Sequence, residues 1–151
     1  MAKKVLLARP HPFIVSEMKP FLEKSGFAAT ALGRLDDLQA AGQGASGVII
    51  SLAVSSSVGE SAEKVFAEVR RQFPRLPVVF AALLPLEKSS ATVTRATSAA
   101  DGDVKVLGVS PEAERDPGLG KPEVFLYISK DDVASTDRRT LAGKILQRHF
   151  R

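Results

Sequence analysis

The residues able to do chemistry in this chain gather around one loop. Residues 51–59, SLAVSSSVG, follow the β-branched run Val48, Ile49 and Ile50, and place Ser51, Ser55, Ser56 and Ser57 where a buried strand ends. A serine loop that opens a helix can cradle an anion with hydroxyls and backbone N–H groups. Arg9 and His11, which follow an earlier apolar run, would add charge beside it. The same serines also read as a plain polar connection. Covalent chemistry asks for more, namely an ionised carboxylate or a base beside the hydroxyl. No carboxylate occurs between Ser46 and Val58, and no base pattern surrounds Ser51. Two histidines, His11 and His149, do not make a metal site and read as surface residues. Gly118, Gly120 and Lys121 lack the spacing of a phosphate loop, and no strand leads into them.

The elements that must position these groups alternate. Residues 3–9 read as a first strand ended by Pro10, and Pro12 opens a helix carrying Ile14, Met18, Phe21 and Leu22, with Pro20 predicting a kink. Residues 27–32 form a second strand, 35–41 a short helix, and 47–54 a central strand buried on both faces. After Gly59 comes the best-patterned helix, with Ala62, Val65, Phe66, Val69 and Phe73 on one side. Residues 78–84 follow as a buried strand. Residues 86–100 are rich in Ser, Thr and Ala, of helical length but poor in apolar anchors, and are expected to be loose. Residues 104–109 are a further strand candidate, 110–123 a loop, and 124–129 the last strand. A closing amphipathic helix carries Ala134, Leu141, Ala142, Ile145 and Leu146. Strands and helices alternating through short connections predict a parallel sheet covered on both faces, with any site at the carboxyl ends of the strands.

Composition narrows the classes. At 151 residues, 44% hydrophobic and 25% charged, the chain suits one globular domain, residues 1–151. The absence of cysteine excludes disulfides, thiolate metal sites and a cysteine nucleophile, and fits a reducing cytoplasm. The opening MAKKVLLARP does not read as a leader, and no apolar run approaches a membrane span. The net charge of +4 is spread along the chain, with one Tyr and no Trp, which argues for solvated helix faces rather than nucleic-acid binding.

The segment order resembles the receiver domain of bacterial two-component response regulators. KVLLARP stands where that family has a strand ending in two acidic residues, here Arg9 and Pro10. GVIISLAVSSSVGE stands where it has the strand bearing the phosphoacceptor Asp, which falls on Ser51, with the loop closing on Gly59. FPRLPVVFAA matches the next strand, its terminal Thr or Ser replaced by Ala82, and FLYISKDD the fifth, with Lys130 on the family's Lys and Tyr127 on its aromatic switch position. The family's following Pro is Asp131 here. Residues 86–123 are an atypical insertion. If residues 104–109 were instead the fifth strand, Lys105 or Lys121 would compete with Lys130, but the aromatic and its spacing favour Lys130.

The resemblance implies a flavodoxin-like, three-layer αβα fold with a five-stranded parallel sheet and room for one extra strand. It also implies that the phosphorylation machinery is degenerate. Acyl phosphate formation uses an ionised Asp, a carboxylate-held cation, and Thr and Lys to bind the product, and Arg9, Ser51 and Ala82 remove three of these four. The expectation is a non-catalytic pseudo-receiver in the bacterial cytoplasm, without cofactor or metal. It would meet a protein partner or a second copy of itself through the last strand and the C-terminal helix, with Tyr127 and Lys130 as a surviving switch. The alternative is a small-ligand sensor for an anion or nucleotide, using Arg9, His11, Ser55, Ser56 and Ser57.

Overall fold

A computed structural model describes residues 3–9, 14–52, 60–84, 86–96, 105–121 and 123–150. Pro10, His11, Ser55, Ser56, Ser57 and Gly59 lie outside the described residues.

Three runs form the centre of the sheet because they are apolar without interruption. They are β3 (Gly47–Ser51), β4 (Val78–Ala82) and β6 (Val124–Ser129), each buried at every position. β1 (Lys3–Arg9) is buried from Val5 onward. The alanine-rich β2 (Phe27–Ala31) is mostly exposed, and so is Lys105 of β5 (Lys105–Gly108), as suits edge strands. All pairings are parallel, in the order β2-β1-β3-β4-β6-β5. β6 therefore takes the place beside β4, and β5 is added outside it. This settles the position of residues 105–108 as a sixth strand extending the sheet.

Alternation of side chains divides the core into two layers. Val5, Leu7, Ile49, Val79, Leu126 and Ile128 pack against α1 (Lys19–Lys24) and α6 (Thr136–His149). Leu6, Val48, Ile50, Phe80, Phe125 and Tyr127 pack against α2 (Leu38–Gly42), α3 (Ala62–Gln72) and Val93 of α4 (Leu86–Ala96). Within the second layer Phe66, Phe80 and Phe125 meet with ring centroids 5.3 to 5.8 Å apart. The two layers around one parallel sheet make the flavodoxin-like αβα fold.

Several expected boundaries shift for local reasons. A turn of π-helix, Ile14–Met18, precedes α1, so the winding changes just ahead of Pro20, which falls in the first α-helical turn where its missing N–H costs little. β3 ends at Ser51 rather than at residue 54, and β4 ends at Ala82. Leu83 and Leu84 are 46% and 53% exposed instead of continuing the strand. The Ser/Thr/Ala segment forms α4 through Ala96, with Val93 buried against the sheet. Inside the expected loop, Ser110 caps a four-residue helix, α5 (Pro111–Glu114), by accepting from the Ala113 N–H. Ala134 lies before α6, whose N-cap is Ser135. No helix of the described residues is long and apolar enough to cross a membrane.

Candidate functional site

In this strand order the direction of winding reverses between β1 and β3, so the crevice outside their carboxyl ends is where such folds bind and react. Arg9 occupies it. Between Leu7 and Arg9 the register against β3 slips, Leu7 facing Ile49 and Arg9 facing Ile50, so that two steps of β1 match one of β3. A bulge of this kind re-aims the side chain that follows it. Arg9 Nη1 donates to the Ser51 carbonyl oxygen at 2.9 Å and Nε donates to the Glu60 carbonyl oxygen at 2.9 Å. The residue is 6% exposed, and burial lowers its pKa from the usual arginine value. The guanidinium thus joins the ends of β1 and β3 to the residue that precedes the Ser61 N-cap of α3.

Three of the other expected site residues, Ser51, Ala82 and Lys130, fall along the same edge of the sheet. Ser51 is the last residue of β3, 2% exposed and paired with Ala81. Ala82, buried, ends β4 opposite Ser129 of β6. Lys130 follows Ser129 as the first residue of a 3-10 turn, Lys130–Val133, with its side chain exposed and without a hydrogen-bond partner among the described residues. The fold therefore aligns Arg9, Ser51, Ala82 and Lys130 along the carboxyl edge of four strands. Tyr127 stands inside the sheet. It is 1% exposed, and its hydroxyl donates to the Leu84 carbonyl oxygen at 2.5 Å, tying β6 to the start of the β4–α4 connection.

Two features escaped the sequence reading. The first is a cavity of about 270 Å³ at the carboxyl ends of β5 and β6, beside the Arg138–Asp132 ion pair. Asp132 Oδ2 accepts from the Ser129 N–H at 2.8 Å and from its hydroxyl at 3.1 Å, while Oδ1 accepts from Arg138 Nε at 3.0 Å and from Nη2. The signal was present, since Ser129 and Asp132 have capping-box spacing directly after a strand. The second corrects the reading of His149 as a surface residue. His149 is fully buried at the end of α6, in contact with the Gly120 N–H at 3.1 Å through Nδ1 and with the Val78 carbonyl at 3.1 Å through Nε2. Its position seven residues after Ala142 and four after Ile145 places it on the buried face of the helix. Among the described residues no cluster of His, Cys, Asp and Glu could hold a metal ion.

No family model matches this sequence, and no curated protein matches it. Solved structures do. NtrX from Brucella abortus superposes with a TM-score of 0.55 at 16% identity, over 98% of this chain and 28% of the NtrX chain. The chain thus spans little more than a quarter of NtrX. A response regulator receiver domain protein from Clostridium thermocellum superposes with a TM-score of 0.55 at 12% identity, over 99% of this chain and 94% of its own. The fold is receiver-like. With β6 beside β4 and β5 added outside it, the sheet has one strand more than the five expected.

Proposed function

We propose that this chain is a pseudo-receiver: a receiver-like fold without phosphoryl chemistry that serves as a non-catalytic signalling module in the bacterial cytoplasm. It binds a protein partner or a second copy of itself through α6; the last strand, expected to share that surface, is buried at every position between β4 and β5 and offers none. The observation that carries this reading is the seat of Arg9. A phosphoryl-transfer site at this edge needs a divalent cation and an ionised carboxylate. Here a buried guanidinium lies 2.9 Å from the Ser51 carbonyl, and a fixed positive charge repels a second cation in the same crevice. Ser51 cannot form an acyl phosphate. Its burial also keeps a phosphodonor from reaching it.

Partner binding is supported by Leu83 and Leu84, exposed large apolar residues just past the end of β4, the Leu84 carbonyl being held by Tyr127. The outward side of α6 presents Asp137, Thr140, Lys144 and Gln147, a polar face suited to a separable partner. The anion-sensor reading would need Arg9 for its ligand, and the engagement of Arg9 with two backbone carbonyls favours the first reading.

The test is incubation with acetyl phosphate and Mg²⁺ followed by intact-mass measurement. The mass is expected to stay unchanged; a phosphoryl adduct on the native chain would overturn the proposal. Light scattering that gave only monomer at high concentration would remove the homodimer and leave the heterologous partner.

A further inference from the structure

We propose that the cavity at the carboxyl ends of β5 and β6 binds a small organic cation, a primary alkylammonium, with Asp131 as its charged anchor. This site is separate from the Arg9 crevice, and the inference does not rest on the pseudo-receiver reading.

The cavity is made by the added strand. β5 pairs with β6, Gly108 opposite Tyr127, and the hollow at their carboxyl ends is lined by Leu86 at the start of α4 and by Arg138 of α6. Its volume of about 270 Å³ is near the lower end of small-molecule sites, which sets the ligand to a few heavy atoms. Leu86 and Val109 supply apolar wall; Asp131, Asp132 and Arg138 supply charge. The charges do not cancel. Arg138 pairs with Asp132, to which it donates through Nε and Nη2, and Nη2 also donates to the Val109 carbonyl at 3.2 Å, so its one positive charge is matched by one carboxylate. Asp132 in turn has both oxygens occupied by Arg138 and Ser129. What remains is the Asp131 carboxylate, exposed and without a hydrogen-bond or ion-pair partner among the described residues. Lys130 does not line the cavity.

One uncompensated carboxylate lining a partly apolar hollow selects a ligand with one positive end and a short alkyl body. The ammonium donates to Asp131, and the alkyl chain lies against Leu86 and Val109. An anion of the same shape would meet two carboxylates set against a single guanidinium, a net negative charge that repels it. Rigidity of the walls favours binding, because the capping box, the Arg138 pair and the Tyr127 hydrogen bond hold them in place before a ligand arrives.

The experiment is an amide-resolved NMR titration of the whole chain with n-butylammonium chloride, and with sodium butyrate as the shape-matched anion at equal ionic strength. Saturable shifts centred on Gly108, Val109, Asp131 and Asp132 are expected for the amine, with a dissociation constant of about 1 mM, and none for butyrate. Asp131→Asn should weaken binding about tenfold, the loss of one charge-assisted contact. Gly108→Val should abolish it by filling the cavity, since a Cβ there meets only Leu86 Cδ2, at an ordinary 3.7 Å. Non-saturating shifts, equal shifts with butyrate, or undiminished binding by a folded Asp131→Asn chain would each overturn the assignment.

Discussion

Arg9 Nη1 and the Ser51 carbonyl oxygen, 2.9 Å apart, bind the ends of two neighbouring parallel strands through a side chain rather than through the sheet ladder. The link begins at the register slip in β1 and ends on the last residue of β3, with a second bond from Nε to the Glu60 carbonyl. A bound cation would pull ligands from these same strand ends toward itself. Here a covalently tethered positive charge does so permanently.

Arg9→Ala should therefore be costly although Arg9 touches no acidic side chain through these bonds. Hydrogen bonds from a charged donor contribute about 1.5–3 kcal/mol each, and the buried Ser51 carbonyl and the half-buried Glu60 carbonyl lose this donor together. A loss of about 2–4 kcal/mol in urea unfolding is expected. Arg9→Lys should recover less than half, because a single ammonium cannot span both carbonyls in the guanidinium's fork geometry. Equal stability of the Lys variant and the native chain would show that charge alone is what the crevice requires.

Tyr127→Phe isolates the hydroxyl that holds the Leu84 carbonyl. The ring stays in the layer with Phe125 and Val93 of α4, so its packing is kept while the hydrogen bond to Leu84 is lost, at about 1 kcal/mol. Amide exchange should accelerate in the connection after β4 and remain unchanged in β2. If exchange rises uniformly instead, the bond stabilises the whole fold and does not specifically hold that connection. Tyr127→Ala adds a cavity and should cost about 3–5 kcal/mol, so partner-binding measurements are better made on the Phe variant.

What the sequence disclosed follows from how local each signal is. The runs GVIIS and VFLYIS are unbroken and β-branched or aromatic, and the structure buries every residue of both. VVFAALL carried the same signal two residues too far, because an apolar pattern does not report that Leu83 and Leu84 have left the sheet. α5 was hidden by its length: four residues with Pro at the start give no period, and only the Ser110 cap marks it. The place of β5 outside β6 is a long-range pairing that no local pattern encodes. The cavity at their carboxyl ends depends on Arg138 reaching Asp132 and Val109, groups 6 and 29 positions away, and so was invisible for the same reason.

His149 gives the fold a pH dependence distinct from that of its carboxylates. The Gly120 N–H donates to Nδ1, so the neutral ring carries its proton on Nε2 and donates it to the Val78 carbonyl. Burial lowers the imidazole from 6.5 to about 4. The unfolded chain therefore takes up a proton first as the pH falls. Stability from this group is complete above about pH 6.5, declines between 6.5 and 4, and is lost below, by about 3 kcal/mol in all. Hydrogen bonds from Arg71 to Glu68 and from Lys105 to Asp116 hold those carboxylates below their ordinary range, and their contribution fades only at lower pH. Urea midpoints between pH 7.5 and 4 should fall in the native chain and flatten in His149→Gln. A native profile that is flat from pH 7 to 5 would contradict the buried neutral ring.

Gly47→Ala tests how the C-terminal end of α6 is fastened to the sheet. A Cβ on Gly47 would lie 2.1 Å from two atoms of the Phe150 ring, far inside contact distance. The ring has no easy retreat: it is fully buried, meets Phe27 edge-on at 5.8 Å, and belongs to a residue whose N–H is held by the Leu146 carbonyl and whose own carbonyl is held by Lys3. Overpacking of this kind costs about 1–3 kcal/mol, and the absence of slack places the expected loss at the upper end. Phe150→Leu alone should also destabilise, by removing ring contacts. Combined with Gly47→Ala, however, it should cost less than the sum of the two, because the smaller side chain leaves room for the added methyl. A strictly additive double variant would mean that the ring already moves aside in Gly47→Ala, and that the C-terminus of α6 is held by its backbone bonds rather than by Phe150.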